Sequence, residues 1–503
     1  MCRIYETICI ALHNASDPFV FLIVIVGMSI GIIFGALPGL TSVMGLILVL
    51  PFTLDMEMYE GLILLGSVYA GATYGGSVSA ILIRTPGAPA NIATMFDGYP
   101  MAQKGESRQA LTISVICSAV GGMFGVFTLI FLAPQLAKLA LKFGPAEVFW
   151  VMIFSMTVIV SLASGNIIKG LIAGAFGLLL GTVGLGHEAV IQPRFTFGTS
   201  YFVRGIDVVC ALIGYFAFSQ GIALFGRTLE TELPIEKIKR GLFWQMLKTV
   251  FTKYKWNTLR SAVIGTIIGI IPGAGGNVAS MISYNEARRF SGKAEAFGKG
   301  EWGGVIASET ANNATEGGAL VPLLTLGIPG SPTAAVFLGG LIVHGVWPGP
   351  VLFSHHLDSV YTLFIGLILT QIAMLLLGHF GARYFALALK IPRNLLGLMI
   401  IVLCLFGAYS VSNSMEGILI MFCTGILGFF GERLGIPPAP VVIGLILSKR
   451  TEAAFIQSLL IGEARGSLLH YFLSSTICII LIGMTILSLS YVIYAELKSA
   501  KGK

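Results

Sequence analysis

Apolar runs of about 20 residues, each long enough to cross a bilayer as a helix, recur along the whole chain. They cover residues 19–36, 111–133, 147–164, 206–225, 361–380, 396–412 and 474–494. The runs are continuous rather than alternating, which excludes a barrel of short strands with a two-residue period. The pattern predicts an all-α polytopic membrane protein with about 10–12 transmembrane helices.

The most polar stretch in the middle of the chain lies at residues 227–258 and is rich in Lys and Arg. It divides the chain into membrane regions at 19–226 and 259–496, and its basic excess predicts a cytoplasmic linker. Within it Phe243, Trp244, Met246 and Leu247 are expected on one side of an interfacial helix.

The two regions repeat one another. GIIFGALPGLTS (Gly31 to Ser42) and GTIIGIIPGAGG (Gly265 to Gly276) share GxxxGxxPG without a gap. AGATYGGSVSAILIRTPGAPA (Ala70 to Ala90) and ANNATEGGALVPLLTLGIPGSPT (Ala311 to Thr333) share a Gly-Gly pair and a PGxP, read here with one residue more between them in the second region. GxxxG alone is common where membrane helices pack, but it does not account for the paired prolines. Charge sets the sense of the repeat. The segment after the first PG motif is acidic in region one and holds Arg288, Arg289, Lys293 and Lys299 in region two. After the PGxP motif the bias reverses, with Lys104 and Arg108 in region one and neither Lys nor Arg in region two. Equivalent loops on opposite faces imply two inverted-topology repeats. Residues 259–285 are then too few for a full crossing and return, and are expected as a re-entrant hairpin or two short legs with PGAGGN at the tip.

Composition sharpens this picture. The chain has 503 residues, 11% of them charged, well under the roughly 25% of a soluble domain. A net charge of +7 raises the question of nucleic acid, but the basic residues sit between apolar runs and fit a positive-inside bias, so no nucleic-acid partner is expected. The seven cysteines are scattered with no CxxC pair, which argues against a metal or redox site. His187, His355 and His356 are expected in solvated loops and His379 in a packed core. The first residues lack a basic stretch followed by a small-residue cleavage site, so no removed signal peptide is expected.

Proline removes a backbone donor and breaks a helix, and glycine tolerates the dihedrals that follow. The breaks fall at Pro38-Gly39, Pro86-Gly87, Pro272-Gly273 and Pro329-Gly330. Each frees amides at a half-helix N-terminus, where partial positive charge suits an anionic group. The candidate substrate-binding set is therefore Pro38, Gly39, Thr41, Ser42, Pro86, Gly87, Asn91, Pro272, Gly273, Gly275, Gly276, Asn277, Pro329, Gly330, Ser331 and Thr333. The blander reading is kinked helices packed on their neighbours. In ASETANNATEGG, Glu309, Thr310, Asn312, Asn313, Thr315 and Glu316 crowd together, with Thr73 in the corresponding stretch of region one. Ionisable groups at membrane depth are costly and usually functional, so these residues are candidates for coupling to Na+ or H+. The blander reading is a hydrated cytoplasmic end. Arg84 either meets a substrate carboxylate or snorkels to the interface. A nucleotide loop is excluded, because PGAGGN is followed by Val278 rather than completing GK[ST]. No cofactor is expected.

Four segments together resemble the large membrane subunit of the tripartite tricarboxylate transporter family: GALPGLTSVMGLILVLPFT, YGGSVSAILIRTPGAPANIATMFDGYPMAQKG, IGIIPGAGGNVASMISYNEARR and ETANNATEGGALVPLLTLGIPGSPTAAVFLGGLIVHG. The resemblance implies a multi-pass permease of the bacterial inner membrane, embedded in lipid, importing di- or tricarboxylates by an ion gradient. It also implies a small four-helix membrane subunit and a periplasmic solute-binding protein as separate chains. The rival in the same class is the permease of the periplasmic ATP-independent dicarboxylate importers, against which these PG motifs weigh. Rivals of other classes are a channel, which dependence on a binding protein would exclude, and a membrane-embedded enzyme. Against the enzyme, the sequence offers no His or Cys cluster and no nucleophile–base arrangement.

Overall fold

The computed structural model describes residues 2–162, 167–186, 192–225, 241–387, 391–473 and 475–501. Most of them are helical. Before the linker come α1 (Cys2–Ala15), α2 (Pro18–Ala36), α3 (Ser42–Val49), α4 (Met58–Ile83), α5 (Ile92–Gln103), α6 (Ser107–Ala140), α7 (Pro145–Leu162) and α8 (Ile167–Gly181). A two-stranded antiparallel ribbon follows, β1 (Gly184–Leu185) with β2 (Pro193–Arg194), then α9 (Val208–Leu212), a π-helical turn and α10 (Ser219–Ala223). The second half holds α11 (Leu242–Thr252), α12 (Lys255–Ile270), α13 (Gly275–Phe290), α14 (Trp302–Leu326), α15 (Pro332–Val343), α16 (Pro350–His355) and α17 (Leu357–Leu387). It ends with α18 (Arg393–Ser412), α19 (Met415–Arg433), α20 (Pro438–Ala464), α21 (Leu468–Leu473) and α22 (Thr476–Lys501). The chain is an all-α multi-pass membrane protein.

Among the described residues five helices are long and apolar enough to cross a membrane alone: α2, α6, α17, α18 and α19. Several other apolar helices are shorter, and α3 and α15 are short because a proline sets their boundary. α2 opens on Pro18 at its first position, with Asp17 accepting from the Phe19 amide at 2.8 Å, and stops one residue before Pro38. α4 opens on a Glu57–Glu60 capping box and α14 on a Glu301 cap. Both end on a left-handed residue ahead of their prolines, Arg84 and Gly327.

The helices gather into two compact units, residues 1–137 with 223–400 and residues 138–222 with 401–503, so each unit draws on both halves of the sequence. In the first unit α2 lies on α4 and α12 lies on α14 at glycine contacts that leave no room for a Cβ: Gly31 and Gly35 against α4, Gly265 and Gly269 against α14. Small residues let backbones approach this closely. In the second unit α8 and α20 meet through Gly177 and Gly444, and Arg194 pairs with Glu452 at 2.8 Å.

Residues 227–240 of the expected linker lie outside the described residues, as does His187. The rest of the linker begins with α11, whose Leu242, Met246 and Val250 are buried, with Phe243 and Leu247 packed beside them. Trp244 does not share that side and is 71% exposed, since it stands half a turn from Met246. His355 and His356 are exposed, while His379 is 6% exposed and packs on Phe243 and Phe380.

Candidate functional site

The glycine contacts align the two repeats. Gly35 meets Ala72 as Gly269 meets Thr315, and Gly31 meets Val68 as Gly265 meets Ala311. Gly75 abuts Ile32 and Ala36, while Gly318 abuts Thr266 and Gly269. Gly75 therefore corresponds to Gly318 and Gly76 to Ala319. The extra residue expected between the Gly-Gly pair and PGxP in the second region does not exist, and the register runs unbroken to Pro86 with Pro329. The shared letters misled because the pairs serve different neighbours. Gly76 makes room for Asn91, whereas Gly317 makes room for Gly125 on α6.

In each repeat the loop before the second half-helix folds back against the first broken helix. A Cβ on Gly87 would strike the Gly35 carbonyl and the Gly76 Cα, and one on Gly330 the Gly269 carbonyl and the Ala319 Cα. The Gly273 amide donates to the Gly330 carbonyl at 2.8 Å. Gly39 and Gly273 both take positive φ, 94° and 83°, which their turns require.

The four breaks then meet in two pairs, each joining one repeat to the other. Ser42 Oγ, at the start of α3, lies 2.8 Å from Thr333 Oγ1 at the start of α15. Tyr69 OH lies 3.1 Å from Ser331 Oγ in the same place. At the other pair, Gly276 at the start of α13 lies against the Ala90 Cβ and the Asn312 side chain, and Ser280 Oγ donates to the Ala90 carbonyl at 2.8 Å. Contact of 42 with 333 and of 276 with 90 is the reciprocal pattern of a two-fold relation.

The two pairs differ chemically. α3 and α15 cap themselves, Thr41 Oγ1 accepting from the Met44 amide at 3.4 Å and Ser331 Oγ from Ala334 at 3.1 Å. α5 and α13 have no side-chain cap, and the first amide of α5, at Ile92, donates to the Pro89 carbonyl of the turn before it. Asn91 and Asn312 are buried beside these two tips, with Asn91 Oδ1 and Asn312 Nδ2 unpartnered. Asn277 is exposed and Thr41, Ser42, Pro86, Pro272, Gly273, Gly275 and Gly276 are partly exposed. Pro38, Gly87, Pro329, Gly330, Ser331 and Thr333 are buried, and Gly39 is exposed.

The polar stretch on α14 is interior. Glu309, Thr310 and Asn313 are fully buried, and Asn312, Thr315 and Glu316 are at most 5% exposed. That burial overturns the reading of a hydrated helix end. Glu309 Oε1 accepts from Thr94 Oγ1 at 2.5 Å, and Oε2 accepts from Ser118 at 2.8 Å and Ser114 at 3.2 Å. Asn313 Nδ2 donates to the Glu309 carbonyl at 3.1 Å and Thr315 Oγ1 to the Asn312 carbonyl at 2.5 Å. Thr310 lies beside Cys117. Glu316 lies against Thr73 and Gln371, and both Glu316 Oε1 and Gln371 Oε1 lack hydrogen-bond partners. Ser114, Ser118, Gln371 and Tyr69 escape sequence reasoning, being lone polar residues in apolar helices. Arg84 is exposed, its guanidinium 5.7 Å from the Tyr99 ring centroid. Among the described residues no group of three or more His, Cys, Asp or Glu is placed to hold a metal ion.

A family model described as the tripartite tricarboxylate transporter TctA family matches residues 21–443. The chain is 35% identical over 468 residues to an uncharacterized 52.8 kDa protein of the TAR-I ttuC' 3' region of Agrobacterium vitis, covering 92% of this chain and 91% of that one. It is 33% identical over 243 residues to an uncharacterized protein of the TAR-II ttuC' 3' region of the same organism, covering 48% of this chain and 96% of that one. No solved structure matches.

Proposed function

We propose, since the chain belongs to the tripartite tricarboxylate transporter TctA family, that it is the permease of a binding-protein-dependent importer of di- or tricarboxylates. The observation that carries this reading is the meeting of four proline–glycine breaks in two reciprocal pairs. Half-helix N-termini present amides and partial positive charge, which suits a carboxylate without a fixed counter-charge. The pair at α5 and α13 is the better anion site, because neither tip is closed by its own side chain. Asn312 adds an unpartnered amide donor there. Glu309 and Glu316, each about one turn along α14 from Asn312, couple the cycle to Na+ or H+.

The membrane regions 19–226 and 259–496 are inverted repeats in this proposal, with the linker 227–258 in the cytoplasm of a bacterium and the chain in its inner membrane. A small membrane subunit and a periplasmic binding protein complete the system. A cysteine introduced at Glu57 that reacts only from the cytoplasm would refute the inverted arrangement. The test of function is uptake of labelled citrate into proteoliposomes holding this chain and the small subunit. Binding protein is added outside, with an inward Na+ gradient, a proton gradient or neither. Uptake that needs both binding protein and a gradient is expected; uptake that needs neither refutes the importer.

A further inference from the structure

We propose that Glu309, Thr94, Ser114 and Ser118 form a Na+ site that joins α14 to α5 and α6. The carboxylate and the three hydroxyl residues around it are fully buried. Among the described residues no Lys, Arg or His forms an ion pair with Glu309. Arg108, on the same helix as the two serines, directs its guanidinium to the His379 carbonyl instead. A buried carboxylate without a counter-charge is costly unless a cation or a proton joins it.

The neighbours favour the cation. Three hydroxyls already donate to the two carboxylate oxygens, an arrangement that serves the ionised form. Each hydroxyl keeps oxygen lone pairs for a metal. Further oxygen lies close by. Ser77 Oγ is 2.7 Å from Ser114 Oγ and Ser308 Oγ is 2.9 Å from Thr94 Oγ1, while Asn91 turns its amide donor to the carboxylate and lays its Oδ1 against Gly76. Hard oxygen donors with one negative charge match a small monovalent cation, whose charge the carboxylate neutralises.

The placement links ion to substrate. Thr94 and Asn91 stand at the start of α5, the uncapped tip that faces Gly276 of α13. An ion at Glu309 fixes that tip, so occupancy of one site stabilises the geometry of the other. This deepens the importer reading and rests on it for its consequence, so the test is made without transport.

The experiment compares thermal unfolding of the purified chain in NaCl, KCl and choline chloride at equal ionic strength, with binding of radioactive sodium measured in parallel. A saturable rise in Tm with Na+ alone is expected, because a ligand that binds only the folded state raises stability. The rise should vanish in Glu309→Gln. Its midpoint should move up about tenfold or more in Thr94→Val and Ser118→Ala but little in Thr94→Ser. Should Glu309→Gln not fold, the contrast of Thr94→Val with Thr94→Ser decides the matter. Equal Tm in the three salts with no sodium bound, or a response to pH alone, overturns the site. Sodium binding without carboxylate uptake would leave the site standing and remove the importer reading.

Discussion

Thr73 and Glu316 occupy corresponding positions in the two repeats, and the two side chains lie against each other. Where a two-fold relates two repeats, a residue that touches its own counterpart lies at the axis. Glu316 therefore stands where the halves meet, with Gln371 of α17 beside it. Glu316→Thr should cut uptake about tenfold or more while leaving folded protein, since a coupling of about 1.4 kcal/mol is lost. The exchange Thr73→Glu with Glu316→Thr returns a carboxylate to the axis from the other helix. It should recover uptake to within about threefold of wild type. An exchange no better than the single variant would show that the side of the axis matters, and the symmetry argument would fall.

Gly87 and Gly330 hold the fold-back loops against the broken helices. Alanine at either place drives a Cβ into backbone, at the Gly35 and Gly269 carbonyls respectively, where no side chain can yield. Each substitution should cost about 1–3 kcal/mol, read as a lower Tm in detergent and a smaller folded fraction. Gly483 in α22 is the control, because nothing lies within 4 Å of its Cβ position. There alanine should stabilise by up to about 1 kcal/mol through helix propensity. If Gly87→Ala behaves like Gly483→Ala, the close approach is wrong.

Arg84 adopts φ 55°, in the left-handed region, and its counterpart Gly327 has φ 75°. The second repeat thus uses the residue that the conformation favours, and the first repeat does not. Arg84 is exposed and its guanidinium lies over the ring of Tyr99, about two turns along α5 from its first residue Ile92. Arg84→Gly should therefore raise stability by about 0.5–1 kcal/mol and leave uptake within about twofold. A larger loss of uptake, with the same gain in Tm, would make Arg84 a substrate contact after all.

The breaks were readable from sequence because proline and glycine act locally. A missing amide donor and a positive φ are properties of single residues, so Pro38-Gly39 and Pro272-Gly273 announce themselves. The polar stretch on α14 was readable for a similar reason, since six polar residues in an apolar setting need an explanation. What those residues touch was not readable. Ser114 and Ser118 look like ordinary helix hydroxyls until α6 is seen to run beside Glu309. Gln371 looks like an isolated polar residue in α17. The one-residue error in the repeat alignment has the same origin. Two glycines side by side look equivalent wherever they occur, and only the backbone each one admits tells them apart.

Asp97 is the polar anchor beneath the candidate site. Its Oδ1 accepts from the amides of Gly298, Gly300 and Glu301, each at 2.8 Å, and its Oδ2 accepts from Tyr284 OH at 2.8 Å. One carboxylate from α5 thus orders the turn that starts α14 and holds α13. Oδ2 also sits over Gly304, which has no side chain to exclude it. Asp97→Ala leaves three amides and a phenol without their acceptor. Tyr284 is buried, but Gly298 is exposed and Gly300 and Glu301 are part-exposed, so at about 1–3 kcal/mol for a buried donor and less where water reaches the amides, Tm should fall without loss of the fold. Asp97→Asn keeps one carbonyl oxygen for the three amides but sets an amide against the Tyr284 hydroxyl, and should cost less. Tyr284→Phe removes a single bond to a charged group and should cost about 1.5–3 kcal/mol. Tyr284→Phe added to Asp97→Asn should then cost less than in wild type, because the bond it removes is already weakened. Thermal unfolding of the three variants and the double variant measures this. Full additivity between Asp97→Asn and Tyr284→Phe would show that the two side chains are not coupled, and that the anchor consists of the backbone amides alone.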